Sequence, residues 1–323
     1  MSRREADAET LAEGVLAGEK RAIARAISLV EDRDPVASDL VRRLFPHTGR
    51  AVLAGLTGPP GVGKSSLIAS LVGHLRASDL TVGVVSVDPS SPFTQGAVLG
   101  DRIRLTDHFL DPGVFIRSMS TRGYLGGVSE ATLQALLVLD AAGKDVLLLE
   151  TVGVGQSEVE VASVADTVVL VLQPGSGDSI QALKAGVMEI PDVIVINKAD
   201  HPATRTMRSE IRSILSLGER RAWKPPIVET EAINGEGVAD LWDAVTRHRE
   251  HLSDGGLAER RRRSVEHEVV AVAVSQVRRR LLQAIERDEE VKRLLDDVNE
   301  RRVDPLTATR EIAERELRMH PGA

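Results

Sequence analysis

The run Gly58-Pro59-Pro60-Gly61-Val62-Gly63-Lys64-Ser65 carries the clearest chemistry in the chain. It is a G-x-x-x-x-G-K-S pattern between an apolar stretch at 51–56 and an apolar-periodic stretch at 65–75, in the order strand, glycine loop, helix. Glycines let such a loop curl with its N–H groups turned inward on phosphate oxygens. A lysine brings charge to the outer phosphates, and a serine hydroxyl ligates magnesium. The helix N-terminus adds its positive end. Residues 58–65, with Ser66 on the first helical turn, are therefore expected to hold a nucleoside triphosphate, with Ser65 on the metal. A chance glycine-lysine-serine loop is the bland alternative, and the strand-to-helix context argues against it.

A second constellation, Asn197-Lys198-Ala199-Asp200, directly follows the apolar run 193–196. The Asp200 carboxylate can accept from both the ring N–H and the exocyclic amine of guanine, the Lys198 stem can lie along the base, and Asn197 can tie loops together. Adenine offers no such donor pair, so a half-satisfied carboxylate would disfavour ATP by about 10⁴–10⁵-fold. Alone the quartet reads as a solvated turn; downstream of a phosphate loop it predicts GTP and GDP as the ligands. Glu231, Ala232 and Ile233 follow the last apolar run, and the Ala232 N–H is a candidate donor to the guanine carbonyl.

Glu150-Thr151-Val152-Gly153 ends the run 146–149 with an acid and then a glycine. Glu150 is placed to hold a magnesium-bound water and the Gly153 N–H to reach the terminal phosphate, so the loop can sense that phosphate. A strand-ending turn is the competing reading. Val154 stands where Ras-like enzymes carry the glutamine that orients water, with Gln156 further on, which predicts slow hydrolysis unless a partner accelerates it. Asp88, in Val87-Asp88-Pro89, and Asp101 are candidate members of the Mg²⁺ shell. Turn chemistry and a helix cap explain them as well. Gln173-Pro174-Gly175-Ser176-Gly177-Asp178, with Lys184 beyond, is a third switch or an ordinary loop. Arg117-Ser118 and the segment 121–127 read as an exposed strand exit open to a partner. The eight histidines have no ligand spacing.

These residues need a scaffold that brings strand ends together. Apolar runs at 52–57, 82–87, 114–116, 146–149, 168–172, 193–196 and 227–228 alternate with helical patterns, predicting an α/β P-loop fold. Its mainly parallel sheet would be wound by helices on both faces, with ligands beyond the carboxyl ends of the strands. A helical segment at 1–48 precedes this domain at 49–252. A charged helical arm follows at 253–323, its apolar stripe packed on its own domain or on a second copy. The 42% hydrophobic content of the 323 residues supplies a full core. Aromatics are 2% and the net charge is −7, which excludes general nucleic-acid binding. The chain has no cysteine, which removes disulfides and thiolate metal sites and fits a cytoplasmic location. No run approaches membrane-spanning length, and the N-terminus lacks a signal-peptide core.

With these motifs in view, the chain resembles the methylmalonyl-CoA mutase-associated GTPases, the MeaB and ArgK-type family, almost end to end. The likeness rests on 58–65, Val87-Asp88-Pro89-Ser90-Ser91, Leu99-Gly100-Asp101, Gly126-Gly127-Val128, the run 150–158, Pro174-Gly175-Ser176-Gly177-Asp178 and 197–200. The run 150–158 is the most specific, since generic GTPases do not carry it. The resemblance implies a GTP-hydrolysing chaperone that gates adenosylcobalamin loading and protects an acyl-CoA mutase such as methylmalonyl-CoA mutase. It also implies a homodimer formed through the arm. Lys64, Ser65, Asp88, Asp101 and Glu150 would form the phosphate and Mg²⁺ site, with Asn197, Lys198, Asp200 and Ala232 on the base and 173–184 answering to the mutase. It is weakest at Thr94-Gln95-Gly96 and in the arm. Two rivals remain: a nickel metallochaperone GTPase, which usually needs the cysteine or clustered histidine this chain lacks, and a protein kinase linked to amino-acid transport. An interaction module with a vestigial site is disfavoured by intact Lys64, Ser65 and Asp200.

Overall fold

The structure is a computed structural model and describes residues 3–88, 108–120, 129–151, 157–177, 179, 190–217 and 222–318. The chain divides into two compact units, Met1–Val265 and Glu266–Ala323. In the first, seven strands form one parallel sheet: β1 (Val52–Thr57), β2 (Val82–Asp88), β3 (Val114–Ser120), β4 (Val146–Glu150), β5 (Thr167–Leu172), β6 (Val193–Asn197) and β7 (Ile227–Thr230), in the order β3-β2-β4-β1-β5-β6-β7. The expected doubly wound α/β fold is the fold observed.

Side-chain alternation sorts this sheet into two faces. Val146 and Leu148 of β4 join Val82, Val84, Val193 and Val195 against α4 (Lys64–Ala77) and a later helix, α8 (Val238–His251). Leu147 and Leu149 join Val85 and Val87 on the opposite face, against α5 (Glu130–Ala141) and the N-terminal helices. That alternation puts Glu150 and Asn197, the last residues of β4 and β6, on the α4 side. Gly55 is required within β1, since a Cβ there would lie 2.3 Å from Val161 Cγ1 of α6 (Ser157–Val164). A third cluster joins Leu170, Leu172, Ile194 and Ile196 to Met207 and Ile211 of α7 (Thr204–Leu217).

The N-terminal segment forms three helices where the spacing suggested a preface and one more: α1 (Arg3–Leu16), α2 (Lys20–Glu31) and α3 (Pro35–Leu44). Gly18 at φ +74° stops the first. Asp34 caps the third by accepting from the Val36 N–H at 2.8 Å, with Pro35 at its first turn. Strand β3 runs four residues past the expected Ile116, and this corrects the reading of Arg117-Ser118 as an exposed exit. Ser118 is buried within the strand, and Arg117 pairs with Glu31 of α2 at 2.5 Å. The charge that broke the apolar pattern is neutralised by a helix 86 positions away in sequence.

Arg260 and Arg261, in the first turns of α9 (Gly256–Arg287), belong to the charged segment read from sequence, and both are paired. Arg261 makes a bidentate pair with buried Asp166 (2.6 and 2.9 Å) and donates to the Gly49 and Ala51 carbonyls. Arg260 pairs with Asp192 at 2.7 and 3.2 Å, and His248 Nε2 lies 3.2 Å from the same carboxylate. Burial pushes the Asp192 carboxyl up, but the His248 bond and the Arg260 charge outweigh it, so the group titrates below the usual carboxylate range.

The second unit carries the rest of α9, then α10 (Glu289–Asn299) and α11 (Pro305–Arg318). Ala284, Val291 and Ile312 form its small core. Asp304 caps α11, accepting from the Leu306 and Thr307 N–H groups at 3.0 Å.

Candidate functional site: a phosphate loop and a base loop joined at one asparagine

Of the predicted residues, the 58–65 loop, Glu150 and Asn197 lie at the carboxyl edge of the sheet, on the α4 side. The loop leaving β1 turns through Gly58 (φ +139°), Gly61 (+78°) and Gly63 (+94°) before α4 begins at Lys64. A Cβ at Gly58 would sit 2.0 Å from the Val171 carbonyl oxygen, and one at Gly63 2.5 Å from Asn197 Nδ2, so both positions demand glycine for contact as well as for φ. Lys64 is buried and its Nζ donates to the Gly58 and Pro59 carbonyls at 2.7 and 3.0 Å, across the mouth of the loop.

Ser65, on the first turn of α4, donates to Glu150 Oε1 at 2.6 Å. Two residues expected in the Mg²⁺ site are thus in direct contact, and both are buried. Thr151 follows with its N–H on the Leu56 carbonyl, tying the β4 exit back to β1.

Asn197, 2% exposed, ties the end of β6 to the phosphate loop and to the segment that leaves β7. Its Nδ2 donates to the Val62 carbonyl at 2.8 Å, and its Oδ1 accepts from Thr230 Oγ1 at 3.1 Å and from the Ala232 N–H at 3.2 Å. Lys198, at φ +57°, donates to the Gly61 carbonyl at 3.0 Å. A left-handed non-glycine residue beside a ligand loop is strain of the kind found at binding sites. Asp200 is exposed beyond it. The Ala232 N–H, expected to aim at the guanine carbonyl, here donates inward to Asn197, while the neighbouring Ile233 side chain is 89% exposed. Glu231 accepts from the Asn234 side chain at 2.5 Å.

Asp88 closes β2 at the same sheet edge. Asp101, Gly153, Val154, Gln156 and Lys184 lie outside the described residues. So do the segments 89–107, 121–128 and 180–189. Among the described residues no group of three or more His, Cys, Asp or Glu side chains is placed to hold a metal ion.

Two contributors were not read from sequence. Ser86 donates to Glu150 Oε2 at 2.9 Å, and Ser70 of α4 donates to the Ala232 carbonyl, holding the base loop to the helix that begins at the phosphate loop. A lone hydroxyl inside the valine run of β2 was the available signal for the first. The second is an ordinary helical serine with no local signature.

A parallel sheet whose first strand opens through a glycine loop onto Lys64 and Ser65, with an Asn-Lys-x-Asp turn at the end of β6, two strands away, defines a P-loop nucleotide hydrolase that binds guanine nucleotides. The family described as methylmalonyl Co-A mutase-associated GTPase MeaB matches residues 23–289, and the chain belongs to it. A protein of Pyrococcus abyssi is 46% identical over 305 residues, covering 93% of this chain and 94% of its own. The GTPase ArgK of Escherichia coli is 37% identical over 271 residues, covering 80% of this chain and 82% of its own. A crystal structure titled LAO/AO transport system kinase superposes with a TM-score of 0.70 at 28% identity, covering 97% of this chain and 98% of that one. The chain is accordingly a GTPase. No helix among the described residues is long and apolar enough to cross a membrane.

Proposed function

We propose that this GTPase is a nucleotide-switched chaperone for an adenosylcobalamin-dependent acyl-CoA mutase, with methylmalonyl-CoA mutase the expected client. The observation that carries the nucleotide part is the Asn197 junction. One buried amide bonds the phosphate loop through Val62 and the base loop through Thr230 and Ala232, so polyphosphate and purine are read by one connected unit. The family description supports the mutase as partner.

In this reading Lys64 exchanges its carbonyl acceptors for phosphate oxygens, and the loop N–H groups and the α4 N-terminus take the remaining charge. Asp200 accepts from the guanine ring N–H and amine. Magnesium fits the donor set: Ser65 and Glu150 present hard oxygen atoms within 2.6 Å of each other. Ser65, Asp88, Asp101 and Glu150 would hold the ion directly or through water, and when bound it supplies positive charge at the outer phosphates. Gly153, Lys184 and the segment 173–184 belong to the part that responds to the terminal phosphate and to the partner. In the second unit, Val270, Val274 and Val277 of α9 recur at helical spacing with exposures of 61, 61 and 39%, a stripe suited to a second copy of the chain.

Calorimetry with GTP and ATP tests the base reading. GTP should bind far more tightly, and Asp200→Ala should erase the preference; equal affinities would overturn it. Capture from the native host with and without a non-hydrolysable GTP analogue tests the partner. Nucleotide-sensitive recovery of a cobalamin-dependent mutase is expected, and its repeated absence would remove the chaperone role while leaving the GTPase intact.

A further inference from the structure

Ser86 is a hydroxyl in a strand built of valine: Val82, Val84, Val85 and Val87 surround it, and it is 4% exposed. A buried hydroxyl is unfavourable unless it is bonded, and here the bond goes to a charged group of the site. Strands β2 and β4 pair in parallel with Ser86 opposite Glu150. Alternation along β2 turns Ser86 to the same face as Val82 and Val84, the α4 side where the Glu150 carboxylate lies. The two oxygens of that carboxylate are therefore held by different elements, Oε1 by Ser65 of α4 at 2.6 Å and Oε2 by Ser86 of β2 at 2.9 Å.

We propose that Ser86 is a positioning residue: it fixes the Glu150 carboxylate so that Ser65 is kept in the orientation a metal ion requires. The chemistry is directional. A serine hydroxyl has one proton and two lone pairs. With the Ser65 proton committed to Oε1, its lone pairs are left for a cation on the phosphate side. A glutamate side chain has an extra torsion compared with aspartate, and the terminal torsion is soft. The Ser86 bond to Oε2, made from a rigid strand, restrains that torsion. Ser86 touches neither nucleotide nor metal in this account and acts wholly through Glu150.

This inference rests on the magnesium reading above, and the test separates the two. Affinity for a fluorescent GDP is measured in excess Mg²⁺ and in excess EDTA for wild type, Ser86→Ala, Ser86→Thr, Glu150→Ala and the double variant Ser86→Ala/Glu150→Ala, with melting curves to check folding. Wild type should bind more tightly with Mg²⁺; if it gains nothing from the ion, the magnesium reading itself fails. Ser86→Ala should lose about tenfold of the Mg²⁺-dependent gain, the effect of one hydrogen bond to a charged group, while its affinity in EDTA stays within about twofold. Ser86→Thr, which keeps the hydroxyl, should restore the gain. In the Glu150→Ala background, removing the Ser86 hydroxyl should cost nothing more. An unchanged gain in Ser86→Ala, an equal loss with and without Mg²⁺, or a full additional loss in the double variant would each overturn the proposal. The alanine variants alone separate these outcomes even if the threonine methyl is not accommodated.

Discussion

Replacing Asn197 by alanine is the most informative single perturbation, because this side chain joins the phosphate and base loops and is 2% exposed. Alanine removes three hydrogen bonds: to the Val62 carbonyl, from the Thr230 hydroxyl and from the Ala232 N–H. Each is worth about 1 kcal/mol net. The Thr230 hydroxyl can turn elsewhere, but the Val62 carbonyl and the Ala232 N–H are fixed by backbone, so their loss is not recovered. Those two unrecovered bonds cost about 2 kcal/mol, which for a domain of this size corresponds to a fall of about 4–8 °C in melting temperature. If the two loops hold opposite ends of GTP as proposed, the effect on ligand should exceed that on stability, because they lose their common tether. Differential scanning calorimetry of the protein without nucleotide, paired with GTP and GDP titrations, reads both. A variant that melts within about 2 °C of wild type and keeps GTP affinity within about threefold would refute the claim that this amide couples the loops.

Alanine at Gly58 should abolish nucleotide binding, because its Cβ would meet the Val171 carbonyl oxygen at 2.0 Å and β5 would have to move; equilibrium dialysis with labelled GTP reads the outcome. Arg261→Ala should destabilise the first unit by about 3 kcal/mol, near the lower bound for breaking a buried pair, since Asp166 is left buried while Arg261 is partly exposed. Urea unfolding checks it. Asp192 titrates below the usual carboxylate range in the folded protein, so its native form binds fewer protons than its unfolded form. Its stabilisation is complete above about pH 4 and is lost as pH falls from there through the folded value. Asp192→Asn should show a shallower loss of stability than wild type between neutral and acid pH. Glutamates at Val270 and Val274 should convert a dimer to monomers in sedimentation velocity if the exposed stripe of α9 is where two copies meet.

Much of the site was legible because its residue types are dictated locally. Gly58 and Gly63 are read from the positive φ and close approach the loop needs. Asn197 to Asp200 are read from their position after an apolar strand. The parallel sheet followed from runs such as Val168–Leu172 that have no polar face. What escaped depends on partners distant in sequence. Ser86 matters only because the register of β2 and β4 sets it opposite Glu150. Arg260 and Arg261 read only as part of a charged segment, since nothing local identifies Asp192 and Asp166 as their acceptors. Arg117 shortened the expected third strand for the same reason: the residue that neutralises it, Glu31, lies on another element.

Strand β6 has a geometric consequence of its own. Asp192, just ahead of it, is clasped by Arg260 and His248, and Asn197, its last residue, bonds Val62 and Ala232. The fully buried strand Val193–Asn197 spans the two fastenings with about 16 Å of stiff chain, Asn197 being its last residue. A tug on the opening turns of α9 thus has no slack loop in which to dissipate, and strain applied at one end of this short rod reaches the Asn197 amide and the two loops it bonds.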